Sequence, residues 1–157
     1  MPNRYDTETM SFLIADVSRL LRAEFDRRTS EAGMGLTPGE ARALSAVARA
    51  GIIRQSALAE RLGLEAMTLS TYLDRLEGRG LVERAVDPRD RRAKLVNLSA
   101  EAHAVMEEIV RIGDGIRADM AVDLEPGEVE ALRRMMRQIR TRLVAMRPEC
   151  AKGSSAA

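Results

Sequence analysis

Four basic side chains lie close together in the middle of the chain: Arg89, Arg91, Arg92 and Lys94, in the run Asp87-Pro-Arg-Asp-Arg-Arg-Ala-Lys94. Guanidinium groups are planar, permanently charged and rich in donors, so such a cluster suits a row of phosphates or a narrow, electronegative groove. Alternatively, the cluster is a solvated turn. The positions around it decide between these readings. Two β-prone runs, 81–86 and 94–98, flank the cluster, and Asp87-Pro88 is a turn-initiating dipeptide. The stretch therefore reads as a hairpin that carries the cations at its tip. Residues 84–94 hold five basic and two acidic side chains, although the whole chain carries a net charge of only +1. A locally basic tip can meet phosphate even on a neutral protein.

The elements before the hairpin give the cluster a setting. Ser56–Leu62 reads as a short helix stopped by Gly63, and a longer helix follows over about 65–78 and ends at Gly78 and Gly80. Short helix, glycine-containing turn and longer helix form a helix-turn-helix. At 100° per residue, Leu69, Tyr72, Leu73 and Leu76 share a core face. Met67, Thr71, Asp74 and Gly78 lie opposite, flanked by Thr68, Ser70 and Arg75. This second face is short and polar, as entry into a major groove about 12 Å wide requires.

Each candidate also has a plainer reading. Thr68, Ser70 and Thr71 bond phosphate or base edges, or form an ordinary exposed helix face. Arg75 lies a turn further along, which favours a phosphate clamp over a base reader. Met67 meets a thymine methyl or packs back on the hairpin. Ser56 offers its hydroxyl and helix N-terminus to phosphate, or simply caps the helix. Asp90 fits a structural partner of Arg91 or Arg92 better than a contact to anionic DNA.

The flanks are helical. A first helix is expected over about 7–32, ended by Gly33 and Gly35. A second begins with Thr37 as cap, Pro38 at the first helical position and Glu40 returning a bond to the cap. It ends near Arg49, before Gly51. Ser99 is positioned to cap a long helix over about 100–121, in which Gly113 and Gly115 are candidates for a bend. Pro126 restarts the chain into a last helix over about 127–146. The fold class is therefore mainly α, with a winged helix-turn-helix and long terminal helices.

Other chemistry finds little support. The sequence has no nucleophile-base set, phosphate-binding glycine loop or metal-ligand cluster, so no catalytic, cofactor or metal site is expected. His103 is the single histidine and Cys150 the single cysteine, which excludes an internal disulfide. No apolar run reaches membrane-spanning length, and the N-terminus lacks the order of a signal peptide. The expected location is cytoplasmic. Residues 150–157 read as a disordered tail.

Leu58-Ala-Glu-Arg-Leu-Gly-Leu64, Leu73-Asp-Arg-Leu-Glu-Gly-Arg-Gly-Leu-Val-Glu-Arg84, Asp87-Pro-Arg-Asp-Arg-Arg92 and Leu95-Val-Asn-Leu-Ser99 together resemble the MarR family of bacterial transcriptional regulators. The resemblance covers essentially the whole chain, and its wing segment is the specific part. It implies a homodimer, with 1–36 and 99–149 as dimerisation helices and 37–98 as the DNA-binding domain. It also implies double-stranded DNA as partner, probed by a recognition helix over 65–78, and a repressor role on a pseudopalindromic operator. Arg92 corresponds to the wing arginine of the minor groove, with Asp90 orienting it through a charge-assisted hydrogen bond. A small-molecule effector, anionic or aromatic, is a further implication; the sequence does not identify it. Some relatives sense oxidants through a cysteine near the N-terminus, unlike Cys150. The competing readings are a winged-helix module that binds protein instead of DNA and a cysteine-based oxidant sensor.

Overall fold

The computed structural model describes residues 8–147. The elements run α1 (Met10–Glu31), α2 (Pro38–Ala50), β1 (Ile53–Arg54), α3 (Gln55–Leu62), α4 (Ala66–Gly78), β2 (Val82–Asp87), β3 (Asp90–Leu98), a 3-10 turn (Ala100–Ala102), α5 (His103–Met120) and α6 (Pro126–Ala145). The fold is mainly α with a winged helix-turn-helix, as the residue pattern predicts.

The chain packs as two compact units that divide after Ile116, within α5. The first unit holds the core. Leu44 and Val47 of α2, Leu58 of α3 and Leu69, Leu73 and Leu76 of α4 are fully buried, and Val82 and Val96 close the core from the sheet. The three-residue and four-residue spacing of the α4 leucines puts them on one stripe, opposite exposed Met67, Thr71 and Asp74. At the start of α2 the capping box forms as read. Thr37 N–H donates to Glu40 Oε2 at 2.9 Å, and Glu40 N–H donates to Thr37 Oγ1 at 3.3 Å. The second unit holds the end of α5 and α6, and no residue of α6 is buried.

The sheet order is β1-β3-β2, antiparallel throughout. The two-residue strand β1 is too short to show an alternating pattern in sequence. It exists because Ile53 and Arg54 pair with Val96 and Leu95 of β3. The hairpin differs from its sequence reading. Its strands reach the tip and leave only Pro88 and Arg89 as the turn. Pairing holds from Val82↔Leu98 to Val86↔Lys94, then jumps to Asp87↔Asp90, so Arg91, Arg92 and Ala93 have no partner on β2.

Ser99 does not cap a helix with its side chain. Its hydroxyl donates to the Gly80 carbonyl, and a 3-10 turn precedes α5, which starts only at His103. Helix α5 is continuous through Gly113 and Gly115, so these glycines do not interrupt it. A Cβ at Gly115 would lie 3.1 Å from Nη1 of Arg28, so the Arg28 side chain of α1 passes close to that glycine.

Candidate nucleic-acid interface

The exposed face of α4 starts at its first turn. Met67 is 84% exposed, which excludes packing against the hairpin. Thr68 and Thr71 are exposed and Ser70 is half-buried. Thr71 is exposed and its Oγ1 donates to the Met67 carbonyl at 3.0 Å, so its hydroxyl oxygen keeps acceptor capacity. Ser56 is not the cap of α3. Arg54 occupies that position and Ser56 lies in the first turn, exposed.

The hairpin tip is organised by a carboxylate. Asp87 is almost fully buried, and its Oδ1 accepts the Arg89 N–H at 2.9 Å. Its Oδ2 takes Arg54 Nε and Nη2, each at 2.7 Å. The Arg89 N–H above all, then the Arg54 guanidinium, holds this carboxyl below the usual aspartate range against the opposing effect of burial. Asp90 differs from expectation. Its Oδ1 accepts the backbone N–H of Arg92 at 3.1 Å, with no bond to the Arg92 guanidinium. The carboxylate shapes the backbone that presents Arg92, which is an Asx-type turn and not a side-chain pair. Arg91 and Arg92 then lie in the unpaired stretch of β3. Bulges of this kind bend a strand and re-aim its side chains.

An open concavity of about 460 Å³ lies between wing and helices. Gln55 and Ser56 of α3, Ala66 of α4 and Asp90, Arg92 and Lys94 of the wing border it. The structure thus gathers Ser56, Asp90, Arg92 and Lys94 around one space, with Met67, Thr68 and Thr71 on the adjoining helix and Arg89 and Arg91 at the tip. Among the described residues, no hydrogen bond or ion pair engages the side chains of Arg89, Arg91, Arg92 or Lys94. Arg75 differs: its Nη1 lies 3.3 Å from Oε1 of the buried Glu40, which ties α4 to the capping box of α2.

Further residues, not singled out in the sequence, hold this arrangement. Arg84 of β2 reaches α4, with Nη2 2.6 Å from Asp74 Oδ1 and Nε 3.0 Å from Glu77 Oε2. Arg79 donates from Nη2 to the Met34 carbonyl at 3.2 Å and also to that of Gly35, which pins the end of α4 to the loop after α1. These links join residues on different elements, so no local spacing announces them. Asp87 alone gave a signal, as the residue before Pro88 that accepts a bond two residues on.

Other candidates stand apart. His103 is exposed on α5, its Nε2 3.2 Å from Glu107 Oε1. Cys150 and the tail lie outside the described residues. Among the described residues, no helix is long and apolar enough to cross a membrane.

Comparison with known proteins agrees with this geometry. The profile of the MarR family matches residues 34–93, from within the α1–α2 loop to the wing. The transcriptional regulator HosA of Escherichia coli O111:H- is 33% identical over 104 residues, which span 66% of this chain and 77% of HosA. A crystal structure of MarR superposes with a TM-score of 0.77 at 24% identity, covering 94% of this chain and 99% of that one. A cysteine-to-serine mutant of MarR from E. coli, solved with operator DNA, gives a TM-score of 0.65 at 24% identity, over 87% and 99% of the two chains. Winged helix-turn-helix, family profile and curated relative agree: the chain belongs to the MarR family of transcriptional regulators.

Proposed function

We propose that the protein is a homodimeric repressor that binds a pseudopalindromic operator and is released by a small-molecule effector. The observation that carries the reading is the shared concavity: unpaired wing cations on one side, the starts of α3 and α4 on the other. Helix α4 enters a major groove. Met67 and Thr71 meet base edges and methyl groups, while Thr68 and Ser70 serve phosphate or base edges. Ser56 and the α3 N-terminus receive a phosphate. Arg92 enters the adjacent minor groove, with Arg89, Arg91 and Lys94 on the flanking backbone and Asp90 fixing the turn. Arg75 serves α4 through Glu40 instead of clamping phosphate. Residues 37–98 form the reading domain.

Residues 1–36 and 99–149 supply the dimer contacts. Helix α1 exposes Met10, Leu13, Val17 and Leu20, and α6 exposes Leu132, Met135, Met136 and Leu143. Apolar stripes of that length are normally covered by a partner. For the effector, a shallow cleft of about 330 Å³ is bordered by Arg28 and Glu31 of α1 and by Glu108, Arg111 and Ile112 of α5. Its two guanidinium groups are already paired, Arg28 with Glu24 and Arg111 with Glu108, so an anionic effector binds there only by displacing those carboxylates. A gel-shift titration on the DNA upstream of the protein's own gene, with and without small aromatic acids, tests the reading. Salt-sensitive retention of that fragment over random duplex is expected. Equal retention of both, or of neither, contradicts it.

A further inference from the structure

The wing and α4 can read one duplex together only if the angle between them is fixed. The sheet joins the helices through a few buried side chains, chiefly Val82 and Val96. The tip projects beyond them. Arg84 pairs with Val96 in the middle of the hairpin, and its side chain is only 11% exposed. From there to Pro88 the strand runs about 13 Å at roughly 3.3 Å per residue. A tilt of about 10° at Arg84 would carry the tip about 2 Å sideways, enough to break a hydrogen bond whose working range spans about 0.5 Å.

The guanidinium of Arg84 is held from two positions on α4. Asp74 takes Nη2 at 2.6 Å, and Glu77 takes both Nε and Nη2. Glu77 lies one turn after Asp74, so the pair forms a two-pronged seat on one side of the recognition helix. Arg84 lowers the Glu77 carboxyl below its ordinary range. At the other end of the same strand, Asp87 is tied to Arg54, the residue that precedes α3. The strand β2 is therefore fastened at its middle to α4 and at its end to α3, by charge-assisted bonds that restrict direction as well as distance.

We infer that Arg84 is a positioning residue for DNA recognition: seated on Asp74 and Glu77, it sets the angle at which the wing arginines meet the groove beside α4. The inference rests on the reading of the protein as a DNA-binding regulator. Arg84 makes no DNA contact itself, because its charge is turned inward onto α4. Its influence passes through the wing, chiefly through Arg92.

The experiment uses the full chain and a duplex recovered from a random library by selection with the wild-type protein. Affinity is measured by fluorescence anisotropy for wild type, Arg84→Gln, Glu77→Gln, Arg92→Ala and the double variant Arg84→Gln/Arg92→Ala, each with a thermal melt. Glu77→Gln discriminates best. It makes the protein more positive, so simple attraction to DNA predicts equal or tighter binding, whereas loss of the seat predicts binding about tenfold weaker. Arg84→Gln should weaken binding to a similar degree, and should add little once Arg92 is already alanine. Glu77→Gln binding as tightly as wild type, or Arg84→Gln adding its full effect to Arg92→Ala, overturns the inference while leaving the DNA-binding reading intact. Failure of the selection to enrich any duplex overturns both.

Discussion

The substitution Gly39→Ala separates two opposing effects of similar size. Gly39 lies in the first turn of α2. Helix propensity alone favours alanine there, by up to about 1 kcal/mol relative to glycine. Packing opposes it. A Cβ at Gly39 would lie 2.5 Å from Cζ of Tyr72, 2.6 Å from its hydroxyl oxygen and 2.8 Å from Cε2. Ordinary contact begins near 3.4 Å, so the ring or the helix must retreat by about 0.9 Å. The obstacle is the phenol end of a rigid, half-buried ring on α4, which moves aside less readily than the end of a flexible chain. Overpacking of this kind costs about 1–3 kcal/mol, and the clash therefore outweighs the gain in propensity. A net loss of about 1 kcal/mol lowers Tm by roughly 2–4 °C for a chain of this size. The assay is a thermal melt followed by circular dichroism at one protein concentration, since association shifts Tm. The double variant Gly39→Ala/Tyr72→Leu provides the control. With the ring gone, alanine at 39 should become neutral or favourable. A Gly39→Ala protein that melts at or above the wild-type temperature would refute the packing argument.

Other outcomes follow from the same geometry. Arg92→Ala should weaken binding to the selected duplex by about 1–3 kcal/mol in an anisotropy titration without lowering Tm, because the side chain is exposed and unpaired. Asp87 contributes stability that is present above the pKa of the unfolded aspartate and is lost as pH falls through its lowered folded value; urea unfolding at stepped pH below about 4 should show a smaller loss for Asp87→Asn than for wild type. Glu24 follows the same sign. Arg27 and then Arg28 hold its carboxyl at about 2, so its contribution should vanish between pH 4.5 and 2, and Glu24→Gln should flatten that part of the curve. Leu20→Glu, on the exposed stripe of α1, should shift the particle mass seen by light scattering from two chains towards one, and an unchanged mass would place the dimer contacts elsewhere.

Local features of the chain were legible in the sequence. Thr37, Pro38 and Glu40 mark the start of α2 because all three act within one turn. Leu69, Leu73 and Leu76 mark the core face of α4 because helical period alone sorts them from Met67 and Thr71. Asp87-Pro88 marks the wing turn. Non-local features were not legible. Strand β1 is defined by partners some 40 residues on, and Ile53-Arg54 is too short to alternate. Arg84 meets Asp74 and Glu77, and Arg54 meets Asp87, only after the sheet has folded against the helices. Asp90 shows a finer limit. Its spacing to Arg92 fits a side-chain pair and a turn bond equally well, and the jump in β3 register selects the backbone N–H. Ser99 was drawn away from capping by the Gly80 carbonyl, which lies 19 residues earlier in sequence.

In the proposed function, α4 and the wing read one duplex in two symmetric copies. Chemical footprinting of the wild-type protein on a selected duplex tests it most directly, with methylation for major-groove guanines and hydroxyl radicals for the minor-groove backbone. Two major-groove patches are expected with centres about 10 base pairs apart, each with an adjoining minor-groove patch that disappears in Arg92→Ala. A single unpaired patch, or minor-groove protection that survives in Arg92→Ala, would contradict it.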